Sequence, residues 1–291
     1  MAYKRSTPDY FFDGAMYTIL IVAVVVTIYP FLTVIAQTFS SNIANMRGAV
    51  GVIPVEPQLR TFLYVVGSSR YLRSLGVTVF ITIVGTGLSL TLTTFAAYPL
   101  SRRYFGPRKL LTVMYVFTML FSPGIVPMYL LIRSLGMLNT LWALIVPGAL
   151  SVYNLLIVKS FFETTPVALE EAAKIDGAGN FLIFYRIMLP MVVPTLATIG
   201  LFAAVGYWNN FLAALFYITR SALQPLQIHL RNIIAEALAP ESQLETDLSR
   251  IHSVQGIRSA TILASVLPIL LVYPYLQRYF VKGIRIGSVK G

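Results

Sequence analysis

The chain has no cysteine, and only 11% of its residues are charged. The first absence excludes disulfides, thiolate nucleophiles and Cys-based zinc sites, and leaves the redox compartment open. The second leaves too little charge for a soluble fold, in which roughly a quarter of residues are charged. Histidine is scarce as well. His229 and His252 fall in a single loop, so the apolar segments hold no histidine for a serine triad, and a metal site has little to build on. There is no H-E-x-x-H and no G-x-x-x-x-G-K-[ST], so a zincin site and an ATP-cradling P-loop are both excluded. Gly85-Thr-Gly-Leu-Ser-Leu starts like a dinucleotide fingerprint, but it lacks the last glycine and sits inside an apolar run.

What the chain has in abundance is apolar surface, 57% of its 291 residues. A helix needs about 20 apolar residues to cross the hydrocarbon of a bilayer. Six stretches meet that length: about 16–36, 76–100, 110–132, 139–158, 191–217 and 259–276. Strands of a membrane barrel would alternate polarity instead. The expectation is therefore an all-α membrane protein, one six-helix bundle in a single domain over 1–291. Lys4 and Arg5 begin the chain as a signal peptide would. Asp9 and Asp13 follow them, and the apolar run exceeds the usual 7–15 residues, so the first span reads as a retained helix.

The net charge of +11 fits basic loops that orient a membrane protein better than it fits nucleic acid, because no basic face interleaved with aromatics occurs. With the N-terminus inside, the inner side holds Lys4, Arg5, Arg102, Arg103, Arg108, Lys109, Lys159, Lys174, Arg186, Arg278, Lys282, Arg285 and Lys290, leaving 9 of the 22 basic residues outside. The short loop 101–109 carries four of the inner ones and no acid, which is where the positive-inside rule is most reliable. Both termini are then expected in the cytoplasm, with long loops at 37–75 and 218–258 outside and 160–190 inside.

The inner loop reads most clearly. Thr165 can cap a helix that starts at Pro166, and Gly177 suits the left-handed residue after its end. Ala168, Ala172 and Asp176 would share one face. A second short helix over 180–188 would lead to Pro190 at the start of the fifth span. From the residues alone this is either a docking plug or an ordinary amphipathic linker.

Glu171-Ala172-Ala173, Asp176-Gly177-Ala178 and Ile187-Met188-Leu189-Pro190 resemble the EAA loop of binding-protein-dependent ABC importer permeases of the type I fold. The resemblance covers nearly the whole chain and lies in the carbohydrate branch, with the maltose permease G-type subunits. Ser122-Pro-Gly-Ile-Val-Pro, Gln224-Pro-Leu-Gln and Gln277-Arg-Tyr-Phe-Val-Lys-Gly-Ile resemble the subgroup for complex oligo- and polysaccharides, and are most similar to permeases of bacterial alginate importers. The resemblance implies that the chain is not itself an enzyme and binds no cofactor. It implies a second permease subunit, most simply in a heterodimer, and two ATPase subunits that bind ATP and Mg. It also implies a periplasmic or lipid-anchored binding protein, a sugar substrate and the bacterial inner membrane. By the same resemblance Glu170, Glu171, Ala172, Ala173, Asp176, Gly177, Ile187, Leu189 and Pro190 couple the subunit to the ATPases.

Polar residues inside spans are candidates for a sugar path. Tyr153 and Asn154 fall in the fourth span, and Trp208, Asn209 and Asn210 in the fifth. An aromatic beside amides suits a sugar, though interfacial anchoring and interhelical hydrogen bonds are competing roles. The stripe Thr78, Thr82, Thr86, Ser89, Thr93 and Ala97 reads first as helix packing. In the last outer loop, Leu226, Leu230, Ile233 and Ile234 recur at helical spacing. This predicts a helix flat on the membrane or against a partner; the family resemblance implies that Gln224, Gln227, Arg231 and Asn232 face the binding protein. The outer side carries 9 bases against 5 acids, which suits an anionic sugar. The spans are almost free of ionisable groups, which argues against a proton-driven carrier. A channel, or a membrane enzyme of sugar or lipid chemistry using Glu163, Glu170, Glu171 and Asp176, stays as the alternative.

Overall fold

The structure is a computed structural model that describes the backbone of residues 7–237 and 253–287. Lys4, Arg5, His252, Lys290 and part of the expected 218–258 loop lie outside the described residues, as do the side chains of the Gln277–Ile284 stretch. Every regular element described is helical: α1 Thr7–Phe39, α2 Asn42–Met46, α3 Arg60–Gly67, α4 Ser69–Ser101, α5 Arg108–Leu120, α6 Ile125–Ser134, α7 Trp142–Ile145, α8 Val152–Thr164, α9 Val167–Ile175, α10 Asn180–Ile183, α11 Leu189–Trp208, α12 Leu212–Tyr217, α13 Leu226–Ala237 and α14 Val254–Gly287. A π turn, Phe184–Met188, joins α10 to α11 without a break.

Among the described residues, four helical stretches are long and apolar enough to cross a membrane: Phe12–Phe39, Ser69–Ser101, Asn180–Trp208 and Val254–Val272. They correspond to the first, second, fifth and sixth expected spans. The third is not one straight helix, because α5 and α6 meet at 115°. Pro123 has no N–H to continue α5, and Gly124 takes φ +83° with ψ 177°, a conformation open to glycine alone. The fourth is divided as well. Pro147 and Gly148 fall between α7 and α8, and α8 by itself is 13 residues, about 20 Å. The fifth starts earlier than its apolar run and ends earlier, at Trp208, where Asn209 caps the helix. Pro190 cannot donate to the carbonyl of Arg186, and the wider π turn runs up to it.

One compact unit lies within Met1–Tyr71 and Leu230–Leu267. A polar knot ties α1 to the start of α14. Gln37 Oε1 accepts from Ser259 Oγ at 2.8 Å and from Gln255 Nε2 at 3.0 Å, and Asn45 Nδ2 donates to Gln37 O at 2.9 Å. Gly256 is required there, since a Cβ would stand 2.8 Å from Ser253 Oγ.

The other unit lies within Leu72–His229 and Pro268–Gly291, and carries both candidate sites. It has two apolar clusters. One gathers Ala97 and Leu100 of α4, Leu155, Val158 and Phe162 of α8, Ala173 of α9, and Ile183, Met188 and Val192 around the π turn. The other gathers Ile81, Ile132, Leu144, Tyr207, Tyr217 and Ile228.

Candidate functional site

The inner loop forms the helix its residues predict, with a different start. α9 runs Val167–Ile175 behind Pro166, and no side chain caps it. Thr165 instead belongs to the end of α8, where its hydroxyl donates to Phe161 O at 3.4 Å. It turns back into the preceding helix because its extended backbone ends α8 before Pro166 begins the turn. The far end matches the expectation for Gly177. This residue sits at φ +79°, with Gly177 N–H donating to Lys174 O and Ala178 N–H to Ala173 O, the two bonds of a Schellman cap.

The residues of this helix divide into two sets. Glu171, Ala172, Asp176 and Gly177 are exposed, as is Ala168 on the same face. Glu170 and Ala173 are not on that surface. Ala173 packs into the apolar cluster, and Glu170 is 3% exposed. Burying a carboxylate demands a partner, and Arg102, just past the end of α4, supplies it: Nε lies 2.6 Å from Glu170 Oε1. The contact is a direct charge pair and not a well-aimed hydrogen bond, since neither atom meets hydrogen-bond geometry. Arg102 also donates from Nη1 to Phe162 O at 3.0 Å, reaches Met188 Sδ from Nη2 at 3.6 Å, and sits 5.1 Å over the Tyr98 ring. One guanidinium thus ties together α4, α8, α9 and the π turn. Ile187 and Leu189 pack against the same cluster and hold the base of the loop, and Pro190 is exposed. Sequence reasoning counted Arg102 only as a topogenic charge. It missed the exposed Val167 and Ile175, the latter 86% exposed, which widen the outward face with apolar area.

Part of the expected sugar path is brought together. A cavity of about 450 Å³ is lined by Ser89 of α4, Ser151, Tyr153 and Asn154 at the start of α8, and Tyr207 and Asn210 at the end of α11. Breaks in two spans create it. Ser151 caps α8 by accepting from Asn154 N–H at 3.4 Å, and Asn210 Nδ2 donates to Leu144 O in the segment before the break at 3.4 Å. The polar lining residues are neutral, and most can donate and accept, as sugar hydroxyls require.

Trp208 and Asn209 do not join it. One residue along a helix is about 100° of rotation, so Tyr207 faces the polar cavity while Trp208 lines a separate apolar one of about 280 Å³ with Val79, Ile83, Val205 and Ile269. Asn209 Oδ1 accepts from Gln227 Nε2 at 3.3 Å. Tyr207 was overlooked in the sequence although its setting is specific. Its hydroxyl donates to Ile145 O at 2.9 Å, and its ring fills the space where a Cβ on Gly85 would stand, 2.6 Å from Cζ. The threonine stripe is shared out: Ser89 lines the polar cavity, Thr82 the apolar one, and Thr78 accepts from Leu226 N–H at 2.8 Å.

That last bond corrects the reading of the outer helix. α13 begins packed into its own unit and not laid on a membrane or a partner, for Leu226 and Ile228 are buried there, and His229 is buried beside them. Gln224 and Gln227 are half-buried, with Gln227 holding Asn209. Arg231 is exposed and donates to Asn232 Oδ1 at 3.4 Å. Asn139 was also missed: at φ +59° its Oδ1 accepts from Thr219 N–H, Thr219 Oγ1 and Arg220 N–H. Among the described residues no three His, Asp or Glu side chains are placed to hold a metal.

Residues 89–286 match the family described as binding-protein-dependent transport system inner membrane component. The chain is 45% identical to Protein LplC of Bacillus subtilis (strain 168), over 91% of this chain and 90% of that protein. It is 40% identical to the polygalacturonan/rhamnogalacturonan transport system permease protein YtcP of the same organism, over 96% of this chain and 98% of that one. Among solved structures, it superposes with TM-score 0.89, at 28% identity, on a chain of a bacterial ABC transporter involved in the import of the acidic polysaccharide alginate, covering 95% of this chain and 99% of that one. With its long apolar helices, its EAA-like loop seated on the helix bundle and a fold shared over almost its full length, the chain belongs to the binding-protein-dependent inner membrane permeases of ABC importers.

Proposed function

We propose that this chain is one translocation subunit of an ATP-driven importer of oligo- or polysaccharides, with an acidic chain such as an oligouronate as substrate. The carrying observation is the seating of α9. Arg102 fixes its inner face to the bundle, while Glu171, Ala172 and Asp176 stay exposed for a partner. A helix held this way moves with α4 and α8, so a push on its outer face reaches the helices around the polar cavity. Two ATPase subunits would supply that push, with ATP and Mg bound between them. A second, different permease would complete the pathway, and a binding protein would deliver sugar from the outer side. The subunit then crosses the inner membrane several times, with both termini and the 160–190 loop in the cytoplasm.

The cavity of Ser89, Tyr153, Asn154, Tyr207 and Asn210 supports sugar passage. Hydroxyls find donors and acceptors there, and Tyr153, largely exposed, offers a ring for the apolar face of a pyranose. The acidic class rests on the relatives named above and on the basic surplus of the outer loops. A membrane enzyme using the inner acids is less well supported, since Glu163 pairs with Lys159 at 2.7 Å and Glu170 with Arg102.

The test is a tagged pull-down in mild detergent, followed by ATPase assay with candidate sugars and their binding proteins. Co-purification of an ATPase whose turnover rises with one loaded binding protein supports the reading and names the sugar. A subunit that leaves its native membrane without any ATPase removes it.

A further inference from the structure

The seating of α9 and the polar cavity leave one charged feature unused. Beside the start of α5 a cavity of about 410 Å³ is lined by Arg108, Lys109 and Thr112 on α5 and by Lys159 and Glu163 on α8, with the buried Leu100 behind them. Lys159 is paired with Glu163. Among the described residues, Arg108 and Lys109 show no ion pair. Three cations and one acid leave a surplus of two positive charges around a single cavity. Their mutual repulsion is relieved by an anion more effectively than by water, because the apolar wall lowers the local dielectric.

The neighbouring surface says which anion. Leu110, Val113, Met114 and Phe117 of α5 are between 56% and 65% exposed and continue directly from the cavity along the helix. In a bilayer this face meets acyl chains. The Thr112 hydroxyl is already spent on Arg108 O at 2.7 Å, so recognition falls to the cations and is one of charge. Cations in a pocket at a membrane surface, beside a lipid-facing helix, suit a phosphate that carries its own hydrocarbon.

We infer that this cavity binds the phosphate of an anionic phospholipid headgroup through Arg108, Lys109 and Lys159, with the acyl chains lying along Leu110, Val113 and Phe117. The inference rests on the reading of this chain as a membrane permease whose 101–109 loop faces the cytoplasmic leaflet. It does not rest on ATPase docking.

The experiment reconstitutes the intact transporter in nanodiscs of equal phosphatidylglycerol and phosphatidylcholine and reads retained lipid by native mass spectrometry. Phosphatidylglycerol should be retained preferentially. Arg108→Gln and Lys159→Gln should each lower its retention about fivefold, the equivalent of about 1 kcal/mol per cation. Glu163→Gln, which frees Lys159, should raise it. Arg103→Gln, exposed on the same loop but outside the cavity, should leave it unchanged. Millimolar inorganic phosphate should not compete. Equal retention of the two lipids overturns the inference, and so does a loss with Arg103→Gln as large as with Lys159→Gln, which would mean general surface attraction. Displacement by inorganic phosphate would assign the cavity to a solute instead. The orientation is read separately. In this cysteine-free chain Gly106→Cys should react with an impermeant maleimide only in inside-out vesicles, and labelling from the outer side would overturn the cytoplasmic placement of the cavity and the inference that rests on it.

Discussion

Arg102 Nε stands 2.6 Å from Glu170 Oε1, and both side chains are about 95% buried. The two residues are far apart in sequence and come from different loops. Their pairing joins α9 to the end of α4 by an ion pair, beside the Lys174 ammonium that lies 4.7 Å from the Tyr104 ring centre. Removing one partner leaves the other charge buried alone, which costs about 3–5 kcal/mol, whereas a well-packed apolar pair of similar volume can be close to neutral. Glu170→Ala and Arg102→Ala should therefore each lower the thermal midpoint of the purified transporter sharply, and Arg102→Met with Glu170→Leu should recover most of it. Equal losses in the singles and the double would remove the ion pair from the account.

Gly177 permits a complementary test of α9. Its left-handed φ strains any residue with a Cβ by about 1–2 kcal/mol, yet no atom lies within 4 Å of where that Cβ would stand. Gly177→Ala should weaken coupling modestly. Gly177→Asp, which adds bulk and charge to the exposed face, should abolish transport while the subunit still inserts and assembles. Full coupled activity in a normally expressed Gly177→Asp variant would exclude the loop from the mechanism.

Tyr207 and Gly85 make a packing prediction. A methyl at position 85 would overlap the Tyr207 ring, which must then leave its slot and give up the bond to Ile145 O. Overpacking of this kind costs about 1–3 kcal/mol. Gly85→Ala should lower stability and transport together, and pairing it with Tyr207→Leu should restore stability but not transport. Additive losses in thermal melts of the double variant would contradict this arrangement.

The polar cavity predicts a division between neighbouring residues. Asn154→Leu and Asn210→Leu each remove about one hydrogen bond to sugar and should raise the transport KM about two- to tenfold with little effect on assembly. Trp208→Leu faces the apolar cavity and should leave KM unchanged. Uptake of radiolabelled oligouronate in whole cells gives all three values. A KM effect at Trp208 and none at the asparagines would move the path to the other side of α11.

The sequence by itself determined the membrane class, the helical composition, the position of the inner loop and its glycine cap. These follow from hydrophobic run length, charge placement and the backbone freedom of single residues, all of them local properties. Contacts over long sequence separations decided the rest. Glu170 and Glu171 are adjacent and chemically alike, yet α9 turns one inward onto Arg102 and leaves the other in solvent. Tyr207 and Trp208 are adjacent aromatics that α11 sends to different cavities. Apolar continuity over 110–132 and 139–158 hid the 115° bend at Pro123-Gly124 and the break at Pro147-Gly148, because hydropathy counts side chains and does not register a missing N–H or a positive φ. Which face of a helix meets which neighbour is fixed by packing partners that no local pattern names, and in this protein that choice separates the anchoring residues from the exposed ones.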